Sequence, residues 1–129
     1  MTLTPGLVGE VTLVVGQEHT AATYGSGLAP VLSTPHLIAL MENASQKALN
    51  PHLEPGTSAV GTRIDMHHLA ATPIGMTVRV RAKLIAVEGQ RLTFHVEAWD
   101  AVDKIGECTH ERFIIDYERF MQRVASKQG

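Results

Sequence analysis

Glu42, His68 and Thr34 are the side chains of this 129-residue sequence whose types and spacing could do acid–base or nucleophilic chemistry. Glu42 follows Met41 by about 100° around a helix, so it flanks an apolar stripe with Ile38, Ser45 and Leu49 as near neighbours. A carboxylate there can simply reach water. Held instead at a partly desolvated wall, it becomes a usable base or nucleophile. His67 and His68 are adjacent, so a strand sends them to opposite faces. Alternation groups His68 with Val60, Ile64 and Met66, and His67 with Arg63 and Asp65. A histidine on an apolar face is commonly a satisfied core residue. It becomes a proton carrier when a carboxylate lies opposite, and a helix packed on the sheet lets Glu42 meet His68. Thr34 precedes Pro35 and can cap a helix. On one regular helix, Thr34 and Glu42 stand about 12 Å apart along the axis, so a joint role needs a substrate between them, a loop-like Thr34, or two protomers. Asp65-Met66-His67-His68 splits across two faces and lacks a second ligand pair, so no metal is expected.

The elements that must carry these residues follow from periodicity. A first strand spans about 7–15, and residues 17–33 show no period of either kind and read as a long, functional loop. Ser33-Thr34-Pro35 starts a helix whose Leu37, Leu40, Met41, Ala44 and Ala48 recur at three- and four-residue steps and which stops before Asn50-Pro51. Strands follow at about 57–70 and 77–87, then a turn at Val87-Glu88-Gly89-Gln90, then a strand with Leu92, Phe94, Val96 and Ala98 on one face. A last strand runs from Lys104 to Tyr117, and Glu118 to Ala125 closes as a short helix. The order predicts an α+β fold: an antiparallel five-stranded, curved sheet packed on one long helix. Such a sheet commonly needs a second copy to cover it, which predicts a homodimer.

Composition narrows the partners. With 44% apolar and 19% charged residues, residues 1–129 form a single globular domain. A net charge of −2 advertises no nucleic-acid or anionic-membrane surface, and Arg79, Arg81 and Lys83 are the wet face of a strand. The opening residues lack a basic start and their apolar run is interrupted by Gly9 and Glu10, so neither an export signal nor a membrane span is expected. One cysteine, Cys108, excludes an internal disulfide and suits a reduced, cytoplasmic setting as a small buried side chain.

Three short stretches go further: Gly61-Thr62, His68-Leu69-Ala70-Ala71-Thr72-Pro73 with Gly75, and Thr109-His110-Glu111-Arg112. With the helix from Thr34 to Glu42, they make about two thirds of the chain similar to the fluoroacetyl-CoA thioesterase family of hotdog proteins. The resemblance implies a long central helix wrapped by an antiparallel sheet, in agreement with the periodicity. It implies a threonine, glutamate and histidine catalytic set, matched by Thr34, Glu42 and His68 with spacings of eight and twenty-six residues. It also implies a homodimer with active sites near the subunit interface, an acyl-CoA substrate and no cofactor. Gly61 matches a glycine beside the thioester, and Arg112 an arginine near the ligand; Arg112 as a surface ion-pair partner is the alternative.

The sequence departs from the family in the segment before the helix. There the fluoroacetyl-specific enzyme carries phenylalanines that close over the acyl group, whereas residues 17–33 hold Tyr24 as their only aromatic to contact substrate. The expected activity is hydrolysis of a small acyl-CoA thioester without fluorine selectivity. Glu42 attacks the carbonyl or activates water, His68 transfers protons and Thr34 positions the carbonyl or the water. A non-catalytic acyl-CoA-binding module and an enoyl-CoA hydratase are the rival readings.

Overall fold

A computed structural model describes residues 3–129. Its strands are β1 (Val8–Val14), β2 (Thr57–His68), β3 (Thr77–Glu88), β4 (Arg91–Trp99) and β5 (Lys104–Asp116). They form one antiparallel, curled sheet in the order β1-β3-β4-β5-β2, which leaves β1 and β2 at its edges. The helices are α1 (Ala21–Tyr24), α2 (Thr34–Leu49) and α3 (Tyr117–Ala125). No helix among the described residues is long and apolar enough to cross a membrane.

The long helix α2 lies on the inner face of the sheet because its stripe and the strand alternations are complementary. Leu37, Leu40, Met41, Ala44, Ala48 and Leu49 are buried against Val78, Val80, Ala82 and Leu84 of β3 and Leu92, Phe94, Val96 and Ala98 of β4. Burying each of the larger side chains contributes roughly 1.5–3 kcal/mol relative to exposure. Gly9 lets β1 pass directly under α2, since a Cβ there would collide with the Ala44 carbonyl and the Ala48 backbone nitrogen. The β3–β4 hairpin closes where the sequence places it, with Gly89 at φ +63° as the first of two turn residues.

Two expectations need correction. Residues 17–33 are not one loop: a 3-10 turn at Gln17–His19 precedes α1, which Thr20 caps and Gly25 ends in the left-handed region at φ +73°. These elements rest on local hydrogen bonds, and one turn is too short to show a hydrophobic period. The second correction is Val60. Gly61 pairs with Arg112 and Arg63 with Glu111, so Thr62 is an extra residue in β2. This bulge shifts the alternation by one. Before it Ala59 and Gly61 face α2, after it Ile64, Met66 and His68 do, and Val60 turns outward opposite Phe113.

Candidate active site

The first turn of α2 makes one half of the site. Ser33 is the N-cap, accepting from the His36 backbone N–H at 3.1 Å, and this leaves the hydroxyl of Thr34, the next residue, unused by the cap. Thr34 Oγ1 lies 2.8 Å from His68 Nδ1, at the end of β2. Burial lowers the His68 pKa below the ordinary imidazole range, with the Ala70 backbone opposing it, and Nε2 is buried without a hydrogen-bond partner among the described residues. His67 points the other way, to the outer face, 3.9 Å from Asp65. A cavity of about 460 Å³ opens beside Thr34 and His68, walled by Ala21, Ser26, Val31 and Ala71.

Two turns further along α2, Glu42 makes the other half. Its Oε2 sits where a Cβ on Gly61 would come to 2.6 Å, so the glycine is what lets the carboxylate lie against the β2 backbone. Arg112 Nη1 approaches the same oxygen at 3.8 Å. The arginine side chain is only 8% exposed and the carboxylate 44%, so the cation is part of the protein interior while the anion looks into an open space. Arg112 Nη2 donates to Gln46 Oε1 and to the Ala59 carbonyl, both at 2.9 Å. Burial lowers the Arg112 pKa and the Glu42 charge opposes that shift. Of the two readings of Arg112, a surface ion pair is excluded by this burial. A cavity of about 240 Å³ is lined here by Ile38, Glu42, Gly61, Thr62, Ile64 and His110.

Within one chain, then, Thr34 meets His68, and Glu42 meets Gly61 and Arg112, but the two sets line separate cavities. The expected meeting of Glu42 with His68 does not occur inside a protomer. The reason is the helix rise: eight residues of continuous α2 hold Thr34 and Glu42 about 12 Å apart.

A family model for fluoroacetyl-CoA-specific thioesterases matches residues 15–118, which include every one of these side chains. The chain belongs to this family. A fluoroacetyl-CoA thioesterase of Streptantibioticus cattleyicolor is 48% identical over 97 residues, covering 75% of this chain and 70% of that protein. A solved fluoroacetyl-CoA thioesterase structure, 39% identical, superposes with a TM-score of 0.91 over 98% of both chains. A hot-dog-like protein from Thermanaerovibrio acidaminovorans, 23% identical, gives a TM-score of 0.90 over 97% of this chain and 93% of its own, and shows the hotdog fold.

In this member of the family, the segment before α2 is tied down by polar rings. Tyr24 Oη lies 2.7 Å from His36 Nδ1, and His36 stacks on His19 with ring centroids 4.4 Å apart. Tyr24 thus turns to the first turn of α2 and is not among the residues walling the larger cavity. The His36 pKa is lowered, first by burial and then by His19, with Glu18 opposing. Sequence reasoning quoted His110 only within Thr109-His110-Glu111-Arg112 and gave it no role, and it passed over Gln46. His110 stands two residues before Arg112 in a strand and so shares its face, a signal that alternation carries. Gln46 is one helical turn beyond Glu42, on the same side of α2. Cys108 is buried, and burial with the Asp65 charge pushes its thiol up to about 12, so it is not a nucleophile.

Proposed function

We propose that the chain hydrolyses small acyl-CoA thioesters as a homodimer, each active site combining Glu42 and Gly61 of one protomer with Thr34 and His68 of its partner. Membership of the family makes the chain an acyl-CoA thioesterase, and the division of labour is our reading. The observation that carries it is the Glu42 carboxylate, exposed on one side and held on the other by a buried guanidinium. The histidine in its own cavity, His110, has both ring nitrogens engaged by the Arg63 carbonyl and Arg112, whereas His68 has a free ring nitrogen and no carboxylate beside it. A two-fold symmetric dimer supplies each half with the other. The edge strand β2 carries both Gly61 and His68 and offers an unpaired edge for such an association.

In the composite site the Glu42 carboxylate supplies the electron pair. It either adds to the thioester carbonyl, the tetrahedral adduct then expelling CoA thiolate and leaving a mixed anhydride that water opens, or takes the proton of a water that adds instead. Label found in Glu42 after single-turnover hydrolysis in heavy-oxygen water marks the anhydride route, with water opening the anhydride at the Glu42 carbonyl. Thr34 at the positive end of α2 positions the carbonyl or the water, and His68 moves the proton to the leaving thiolate. No metal or organic cofactor enters these steps. A cytoplasmic setting suits the lone buried thiol of Cys108.

Among the described residues walling the larger cavity, which we take as the acyl pocket, there is no phenylalanine, tyrosine or tryptophan. Tyr24 is engaged with His36, and Leu28 is 97% exposed. A pocket of this kind separates acyl groups by only ~1–3 kcal/mol per methylene, and fluorine for hydrogen is a smaller change. The expected ratio of kcat/KM for fluoroacetyl-CoA over acetyl-CoA is therefore within about two orders of magnitude, with better turnover of a longer or bulkier group. A thiol-release assay across short, medium and aryl acyl-CoAs, with enoyl-CoA absorbance alongside, tests the activity. Binding without turnover marks a carrier module, and loss of enoyl absorbance without thiol marks a hydratase. Mixing inactive Glu42→Ala and His68→Ala protomers tests the composite site: restored activity supports it, and none sinks it.

A further inference from the structure

His110 is buried behind Glu42, and the proposed reaction as written does not use it. Its Nδ1 lies 2.8 Å from the Arg63 carbonyl, immediately after the β2 bulge. A carbonyl only accepts, so Nδ1 carries the proton. Its Nε2 lies 3.3 Å from Arg112 Nη1, and a guanidinium only donates, so Nε2 presents a lone pair. The ring is thereby confined to one neutral tautomer. Protonating Nε2 would set donor against donor beside a fixed positive charge.

That same Nη1 is the nitrogen that faces Glu42 Oε2 at 3.8 Å, beyond hydrogen-bond reach. Arg112 is pulled back from the carboxylate by three acceptors: Gln46 Oε1, the Ala59 carbonyl and His110 Nε2. Had Nη1 no acceptor of its own, it could close on Glu42 and occupy the oxygen that must do chemistry. A Cβ on Gly61 would meet Glu42 Oε2, His110 Cε1 and Arg112 Nη1 within 3.5 Å, so the three groups converge at one point of the β2 backbone.

We propose that His110 is a positioning residue of the thioesterase reaction, whose Nε2 lone pair holds the Arg112 guanidinium beside the Glu42 carboxylate and keeps it from closing onto it. The proposal rests on the thioesterase reading above and adds a residue to it. Around the ring stand Glu42 from α2, Arg112 and Glu111 from β5, the Arg63 carbonyl from β2 and the apolar Phe94 from β4. Burial lowers the His110 pKa, the Arg112 charge lowers it further, and the Arg63 bond and the two carboxylates oppose this without reversing it.

Two substitutions divide the ring's duties. His110→Asn keeps a donor near the Nδ1 position and loses the distal acceptor, whereas His110→Gln can place an acceptor near Nε2 and loses the donor. The expected result is a fall in kcat of about tenfold or more for His110→Asn with KM nearly unchanged, and at least partial rescue by His110→Gln. A purely structural ring gives the reverse order or equal losses that follow thermal stability, and either outcome overturns the proposal. Ring nitrogen NMR of the wild-type protein supplies a readout that needs neither variant to fold. At neutral pH His110 should be neutral with the proton on Nδ1, and it should become charged only below the pH at which an ordinary imidazole does; an Nε2–H tautomer or an imidazolium at neutral pH also overturns it. If the wild type releases no thiol from any acyl-CoA, the thioesterase reading fails while the nitrogen spectrum still reports the tautomer.

Discussion

The two halves of the site are built by different physics. Around Thr34 and His68 the parts are local: a cap at Ser33, a helix start at Thr34 and the last residue of a strand, joined by one side-chain hydrogen bond beside an open cavity. Around Glu42 the parts come from α2, β2 and β5, and the central member, Arg112, is a buried cation with partners on all three. A buried charge with fixed partners cannot relax, so it holds its geometry before substrate arrives. The other half, where one hydrogen bond joins Thr34 to His68 beside an open cavity, is expected to adapt when that cavity fills. In the proposed reaction the carboxylate is on the rigid half, and proton transfer and acyl contact are on the adaptable one.

The largest expected effect breaks the rigid half at its reacting group. Glu42→Ala should lose at least ~10²-fold in turnover with the fold intact, since a nucleophile or general base supplies that much or more. Thiol release at near wild-type rate from a folded variant would leave Glu42 as a boundary carboxylate.

Next comes the adaptable half. His68→Ala should lower kcat by about 10²-fold, whereas His67→Ala, on the outer face beside Asp65, should change it by less than about twofold. A greater loss for His67→Ala would mean that the strand register or the site is wrong.

A subtler break at the rigid half is Gly61→Ala. The new Cβ would meet the flexible end of Glu42 at 2.6 Å, so the carboxylate moves and the sheet does not. We expect about a tenfold fall in kcat with an unchanged melting temperature, because a displaced reacting group forfeits alignment. A large loss of stability with kcat per folded molecule intact would assign the glycine to packing instead.

The smallest effect sharpens the comparison through pH. His36, His68 and His110 all have folded-state pKa values below the ordinary 6.5, with burial the first cause in each. Below that value the unfolded chain takes up protons that the folded chain refuses, so unfolding gains as pH falls. Their contribution is complete above pH 6.5 and is lost as pH drops toward the folded values. Denaturant midpoints should be lower at about pH 5 than at about pH 7.5, and His110→Gln should flatten part of that slope. A midpoint independent of pH across this range would contradict the burial of these rings.

Much of the fold was legible because its signals are local and repeated. The stripe of α2, the alternation of β3 and β4 and the Gly89 turn each recur within a few residues. Val60 was misplaced because a bulge is a single extra residue, and only pairing with β5 reveals that Thr62 has no register partner across the strands. Thr34, Glu42 and His68 were legible as chemical types. Arg112 was ambiguous, since nothing in a strand sequence says whether its face is wet. His110 stood in a quoted motif without a role because its tautomer and partners depend on a carbonyl in β2 and a guanidinium in β5.

By itself the sequence determined the five strands, α2 and α3, the face each apolar residue takes away from the bulge, and the residue types available for acyl transfer, because period, capping and turn chemistry act over a few neighbours. Tertiary structure alone decided which of those residues meet. Packing of β2 along α2 sets the Thr34–His68 pair and Glu42 beside separate cavities of one chain. Sheet pairing across β2 and β5 brings Gly61, His110 and Arg112 to one point beside Glu42. Distances between side chains remote in sequence depend on how whole elements pack, and no local pattern of residues encodes them.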